Sequence, residues 1–156
     1  MFCQQNKAIS EFEKEMLRPV FDVERWFTFR EACLRRGNKF VMPKQYIKTA
    51  GCKTFAMYCR PGRTNELVII PIPDDLKKTH LIVSKLQKSK VDFSIQVLDS
   101  QNKLLVPPHI FDLKGKAVYL LGAATHLVLM NEAEFRVWSS GNLAEKITEA
   151  FKSLGL

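Results

Sequence analysis

The segment NKFVMPKQYIKTAG, residues 38–51, recurs as NKLLVPPHIFDLKG at residues 102–115. Three apolar residues separate a lysine from a proline in both copies, and a glycine closes each segment. Self-similarity of this kind indicates that one supersecondary unit occurs twice in the chain. We therefore expect two structurally similar halves. Four positions are identical when the copies are aligned without a gap: Asn38/Asn102, Lys39/Lys103, Pro43/Pro107 and Gly51/Gly115.

The similarity extends outward from these segments at the same offset. It pairs Phe29 with Phe93 and Leu34 with Leu98, and it places FAMYC (55–59) opposite YLLGA (119–123). ELVIIP and HLVLMN then align if the first copy has four extra residues in its preceding turn. These limits predict five segments: an N-terminal helical extension (1–25), a first repeat (26–73), a linker helix (74–89), a second repeat (90–138) and a C-terminal helix (139–156).

Each copy has the pattern strand, turn, strand, short helix, hairpin. VDFSIQVLD, residues 91–99, alternates apolar and polar residues as a half-buried strand does. Its counterpart near residues 23–33 also has helical spacing, and the repeat favours a strand there. Helical periodicity predicts flanking helices at residues 10–17, 76–88 and 143–154, and the acids after each hairpin are typical of helix starts. The predicted class is therefore mainly β (α+β).

Composition identifies a globular protein. The chain has 156 residues, of which 46% are hydrophobic and 26% charged, so it can form a core. No apolar stretch reaches the roughly 20 residues of a membrane span, and the N-terminus lacks the apolar region of a secretory signal. The four cysteines form no CxxC pair and are expected to be reduced thiols. These features predict a cytoplasmic protein without a membrane partner.

The net charge of +8 is concentrated in one interval. No acidic residue occurs between Glu31 and Glu66, whereas the rest of the chain is balanced. Such a basic surface is typical of a protein that binds a polyanion, most simply nucleic acid, although a solvated basic face is the alternative. Eight basic residues lie in the interval: Arg35, Arg36, Lys39, Lys44, Lys48, Lys53, Arg60 and Arg63.

An enzyme is not predicted. The sequence contains no phosphate-binding glycine loop, HExxH or GxSxG motif, and its three histidines are isolated. Cys52 and Cys59 are seven residues apart with no histidine near them, which does not suit a zinc site. We therefore expect no catalytic residue, no cofactor and no metal.

The order of elements resembles the MraZ proteins of the SpoVT/AbrB-like group. LDSQNKLLVPPHIFDLKGKAVYLLGAATHLVLMNEAEFRVW, residues 98–138, is similar to the second half of that family. RRGNKFVMPKQYIKTAG (35–51) and LVIIPIPDD (67–75) are similar to the first half. The resemblance implies two pseudo-symmetric halves that interlock as a swapped-hairpin barrel. It also implies a nucleoid-associated, DNA-binding transcriptional regulator that assembles as a homo-oligomer, usually a ring.

The family motif is an aspartate four residues before an arginine at the turn between strands. Asp99 and Lys103 occupy these positions in the second copy, and Arg35 and Lys39 occupy them in the first. Lysine keeps the charge that contacts phosphate but lacks the planar fork that reads guanine. Asp99 is expected to form the turn or to orient a basic side chain. The predicted DNA contacts are Arg35, Arg36, Lys39, Lys44 and Lys103.

Two alternatives to specific DNA binding remain open at this stage. The same barrel can serve as a protein-interaction or antitoxin-like module, with the amphipathic terminal helices carrying partners. RNA binding is the other alternative, because the basic interval contains Tyr46 and Tyr58, and aromatic side chains stack on unpaired bases.

Overall fold

A computed structural model describes residues 30–60, 63–123 and 126–140 of the chain. The predicted extension 1–25 and the helices predicted at residues 10–17 and 143–154 lie outside these residues. The described part contains three helices: α1 (Lys44–Ala50), α2 (Leu76–Lys88) and α3 (Glu132–Ser140). It contains eight strands: β1 (Arg30–Arg36), β2 (Lys39–Val41), β3 (Thr54–Arg60), β4 (Arg63–Ile72), β5 (Phe93–Val97), β6 (Lys103–Leu105), β7 (Ala117–Ala123) and β8 (His126–Asn131).

The strands form one antiparallel sheet in the order β5-β3-β4-β8-β7-β1-β2-β6. The two edge strands, β5 and β6, lie next to each other, so the sheet is a nearly closed barrel. Most pairs join the two halves of the chain: β1 pairs with β7, β3 with β5, β2 with β6 and β4 with β8. The predicted mainly β, α+β class is confirmed.

Side chains from both halves fill the inside of the barrel. Strands β4 and β8 alternate, with Leu67 and Leu129 inside and Val68 and Val128 outside. Fully burying one such side chain stabilises the fold by about 1.5–3 kcal/mol, so the barrel interior is the main source of stability. The largest fully buried residues in this interior are Phe40, Met42, Tyr46, Phe55, Met57, Leu67 and Ile69.

The helices that follow the two hairpins cover the outer face of the sheet. Helix α2 buries Ile82 and Leu86 against β3 and β4, while Leu76 at its first position is 86% exposed. Asp75 caps this helix, because its Oδ1 accepts the backbone N–H groups of Lys77 and Lys78 at 2.9 and 3.2 Å. Helix α3 covers β7 and β8, and no described helix is long and apolar enough to cross a bilayer.

The gapless alignment of the two copies is wrong for the first strand of each. It pairs Leu34 with Leu98, yet Leu34 is 75% exposed and Leu98 only 6%. A shift of one residue pairs Leu34 with Val97, which is 63% exposed, and so restores equivalent faces. The second copy accommodates the extra residue in its longer turn between β5 and β6. Because side chains alternate along a strand, a slip of one residue reverses every face.

Gly51 ends α1 in the left-handed region, with φ +65°, and its N–H donates to the Ile47 carbonyl at 2.9 Å. We expect Gly51→Ala to lower the free energy of unfolding by about 1–2 kcal/mol, because a Cβ penalises this backbone conformation. A Cβ at Gly51 would meet no atom within 4 Å, so the effect is conformational. Urea denaturation of Gly51→Ala and Gly51→Asn tests this, since asparagine tolerates the conformation; equal losses would contradict it.

Candidate nucleic-acid interface

The short strands β2 and β6 form a two-stranded ribbon that presents lysines on its outer face. Lys39 pairs with Leu105, Phe40 with Leu104 and Val41 with Lys103. Phe40 and Leu104 are completely buried, so this pair points into the barrel. The pairs on either side of it point outward because side chains alternate across a sheet. Lys39 and Lys103, which the repeat alignment made equivalent, therefore lie diagonally opposite each other on one surface.

Strand β1 adds an arginine to this surface. Arg36 pairs directly with Lys39 and is exposed, as is Lys39 itself. Gly37 begins the two-residue turn between them with φ +62°, a conformation that glycine adopts without a steric penalty. We define the basic face as Arg36, Lys39 and Lys103.

Arg35 points the other way and holds the turn together. Its Nε donates to the Gly115 carbonyl at 2.5 Å, and its Nη1 donates to the Gly37 carbonyl. The arginine predicted to contact DNA thus uses two of its donors to link the β1–β2 turn to the loop before β7. Of the two adjacent arginines, Arg36 is the one that belongs to the basic face.

Lys44 lies beyond the ribbon, at the first position of α1, and is exposed. A positive charge at a helix N-terminus opposes the helix dipole. The first turn of α1 contains no acidic residue to offset it. Lys44 therefore gains nothing from the helix dipole, and it is an exposed cation just past the end of β2 that is not part of the basic face.

Asp99 forms the turn that leads into β6. Its Oδ1 accepts the backbone N–H groups of Gln101 and Lys103 at 2.8 and 2.9 Å, while its own N–H donates to the Lys103 carbonyl. The bond from the Lys103 amide is the largest influence that lowers the pKa of Asp99, and the charges of Lys39 and Lys103 lower it further. Asp99 thus fixes the turn through backbone bonds and lies near both lysines.

We expect Asp99→Asn to destabilise the protein at neutral pH but not at low pH. Since the folded-state pKa of Asp99 lies below its unfolded value, its stabilisation is present above the unfolded pKa, about 3.9, and is lost as pH falls through the folded value. Denaturation of wild type and variant from pH 7 to pH 2 measures the difference. Asp112→Asn, an exposed aspartate, is the control; a difference that persists at pH 2 would contradict the prediction.

Exposed apolar side chains flank the basic face. Leu34 precedes Arg36 by two residues on the same side of β1, and it is 75% exposed. Val97, at the end of β5, is 63% exposed, and Leu105, beside Lys39, is 39% exposed. The sequence did not indicate that exposed apolar side chains would lie beside the basic face, because the register of each strand decides which side chains share a face. The surface is therefore both cationic and apolar.

The two tyrosines considered for RNA binding lie in the core. Tyr46 and Tyr58 are both completely buried, so the RNA-stacking role considered for them is wrong.

The histidine, cysteine and other metal-ligating residues form no metal site in the described part of the chain. His109 Nε2 lies 3.9 Å from Asp92 Oδ2 in an exposed pair. Burial raises the pKa of the Cys33 thiol to about 12, which makes it an unreactive core residue. Within residues 30–60, 63–123 and 126–140, no three metal-ligating side chains form a group.

Comparison with known proteins does not assign the chain to a family. No protein-family model matches the chain, and no curated protein matches it either. The function is therefore inferred from the residues of the ribbon and their surroundings.

Proposed function

We propose that the protein is a sequence-specific, DNA-binding transcriptional regulator of the MraZ type. The observation that carries the proposal is the basic face, on which Arg36, Lys39 and Lys103 project from the adjacent strands β1, β2 and β6. Long cationic side chains on the outer face of these strands can reach into the major groove, and cations on a fixed backbone supply most of the affinity for phosphates.

The pairing pattern supports a swapped-hairpin barrel as the architecture of this regulator. The first strand of each half pairs with the third strand of the other half, β1 with β7 and β5 with β3. Two reciprocal hydrogen bonds cross between the repeats at equivalent positions: Val106 N–H to the Asn38 carbonyl at 2.9 Å, and Met42 N–H to the Asn102 carbonyl at 2.8 Å. Interlocking of this kind makes the two ribbon strands parts of one rigid surface.

The three residues of the basic face have different roles in DNA binding. Arg36 is the exposed arginine of the face, and its planar fork can donate two bonds to the O6 and N7 of a guanine. Lys39 and Lys103 contact phosphates as point charges. Arg35 and Asp99 fix the two turns from which these side chains project.

We also propose that the protein acts as a homo-oligomer, as in the ring-forming family that it resembles. One basic face supplies three cations beside one carboxylate, which predicts weak binding by a single copy. Several copies joined together bind the same duplex by avidity, which raises the overall affinity without new contacts.

A protein-interaction or antitoxin-like module is the second candidate. The exposed apolar residues Leu34, Val97 and Leu105 favour it, because a protein partner can bury apolar side chains that DNA phosphates would leave in water. Salt separates the two functions, since phosphate binding weakens steeply with salt and apolar docking does not.

Fluorescence anisotropy tests the proposal with two labelled duplexes, the region upstream of the gene and a shuffled control, at about 50 and 150 mM salt. We expect a preference for the upstream duplex that persists at the higher salt. Equal binding of both duplexes that disappears at the higher salt would contradict specific recognition and leave the interaction module as the function.

A further inference from the structure

We propose that the acidic segment at residues 11–17 docks on the basic face of its own chain and competes there with DNA. The competition rests on the proposed function, whereas the docking itself does not. The segment reads EFEKEML and lies outside the described residues. Its sequence complements both properties of the surface described above, which is cationic and apolar.

Charge is the first complement. Three glutamates against one lysine, Glu11, Glu13 and Glu15 against Lys14, make this the densest acidic run of the chain. The basic face presents Arg36, Lys39 and Lys103, and Asp99 lies close enough to interact with the charges of both lysines. Between Glu31 and Glu66 the chain has no acid of its own to neutralise these cations.

Apolar surface is the second complement. Phe12, Met16 and Leu17 alternate with the glutamates, so one segment carries both carboxylates and large apolar side chains. Leu34 and Val97, 75% and 63% exposed, flank the cations of the basic face. DNA would satisfy the cations and leave these apolar residues in water, whereas the segment satisfies both.

The length of chain between the segment and the fold permits the contact. Thirteen peptide steps separate Leu17 from Arg30, where β1 begins, and they reach up to ~43 Å when extended. The distance along β1 from Arg30 to Arg36 is ~20 Å, so the tether reaches the face with chain to spare. A tethered ligand acts at an effective concentration of about 1 mM, and a weak contact is then enough to occupy the face for most of the time.

Carbodiimide cross-linking of the full chain tests the docking without DNA, because it joins a carboxylate to an amine only when the two touch. We expect links from Glu11, Glu13 or Glu15 to Lys39 or Lys103, with a yield that does not change on dilution. Mixed ¹⁵N-labelled and unlabelled protein distinguishes a second copy as the occupant, since cross-links between labels would overturn the proposal.

The internal control is a link from Asp99 to Lys39 or Lys103, whose charges are already close. If that link forms while residues 11–15 give none, or give equal yields with Lys77 and Lys88 of α2, the docking is wrong.

DNA binding tests the competition. We expect Glu11→Gln, Glu13→Gln and Glu15→Gln together to tighten duplex binding about five-fold, because an occupied face binds in proportion to its free fraction. The matched variant Asp74→Asn, Glu145→Gln and Glu149→Gln removes the same charge elsewhere and should change affinity much less. Equal tightening by both variants overturns the competition. Absence of DNA binding in every variant would instead contradict the proposed function and leave the cross-linking result to decide the docking.

Discussion

Alanine at Arg36, Lys39 and Lys103 together is expected to weaken duplex DNA binding roughly 100-fold at low salt. The three side chains project from one face of strands β1, β2 and β6, so their loss removes all three cations of the basic face. The same variant should lower the slope of log affinity against log salt by about 2, since Lys39 and Lys103 contact phosphates and each phosphate contact contributes close to one unit. Arg36→Ala alone should also reduce the preference for guanine at the position that Arg36 contacts.

The control is Lys77→Ala, Lys88→Ala and Lys116→Ala, which removes three exposed lysines outside the ribbon. It should retain most of the affinity, because the basic face is intact. Its net charge equals that of the face variant, so the two variants differ in where the charges are lost. Arg35 is left in place, since its bonds to Gly115 and Gly37 make its removal a change in structure as well as in charge. Equal weakening by the two triple variants would show that total charge, rather than this face, binds DNA.

Asn38→Ala is expected to cost about 3 kcal/mol of stability, because one side chain satisfies three backbone groups of the other repeat. Its Nδ2 donates to the carbonyls of Val106 and Phe111, and its Oδ1 accepts the Leu113 N–H at 3.1 Å. All three partner residues are buried, so their backbone groups would lose their bonds where water is scarce.

Urea denaturation at fixed protein concentration measures this effect. Asn65→Ala, which removes a single exposed bond to Glu134, is the comparison and should change stability by less than about 0.5 kcal/mol. If Asn38→Ala lowered the free energy of unfolding as little as Asn65→Ala, the three bonds of the Asn38 side chain to the other repeat would not be a main source of stability.

The repeat predicted the centre of the fold because two of its shared pairs have the same role in both copies, although the short helix predicted after each proline forms only in the first copy, as α1. Asn38 and Asn102 accept equivalent cross-repeat bonds, and Gly51 and Gly115 both adopt positive φ. The inward and outward faces of the flanking strands β1 and β5 were harder to predict. A one-residue difference in turn length exchanges the two faces of one strand relative to the other without changing the apolar content of either.

The sequence indicated which basic residues lie close together along the chain, but not which of them share one face. A run of two arginines indicates positive charge, whereas strand alternation decides which of them faces outward. That alternation is set by the pairing of Arg36 with Lys39. Likewise, the aromatic residues of the basic interval suggested stacking on bases, and only the packing of α1 and β3 shows that Tyr46 and Tyr58 lie in the core.

Lysine acetylation footprinting shows whether the ribbon binds DNA, because it measures the access of a small reagent to each lysine with and without duplex DNA. We predict that DNA slows acetylation of Lys39 and Lys103 by at least about three-fold, an order-of-magnitude expectation for phosphate-contacting cations. Lys77 and Lys88 of α2 should react at unchanged rates. Protection confined to α2, or spread equally over all these lysines, would contradict the claim that the ribbon binds DNA.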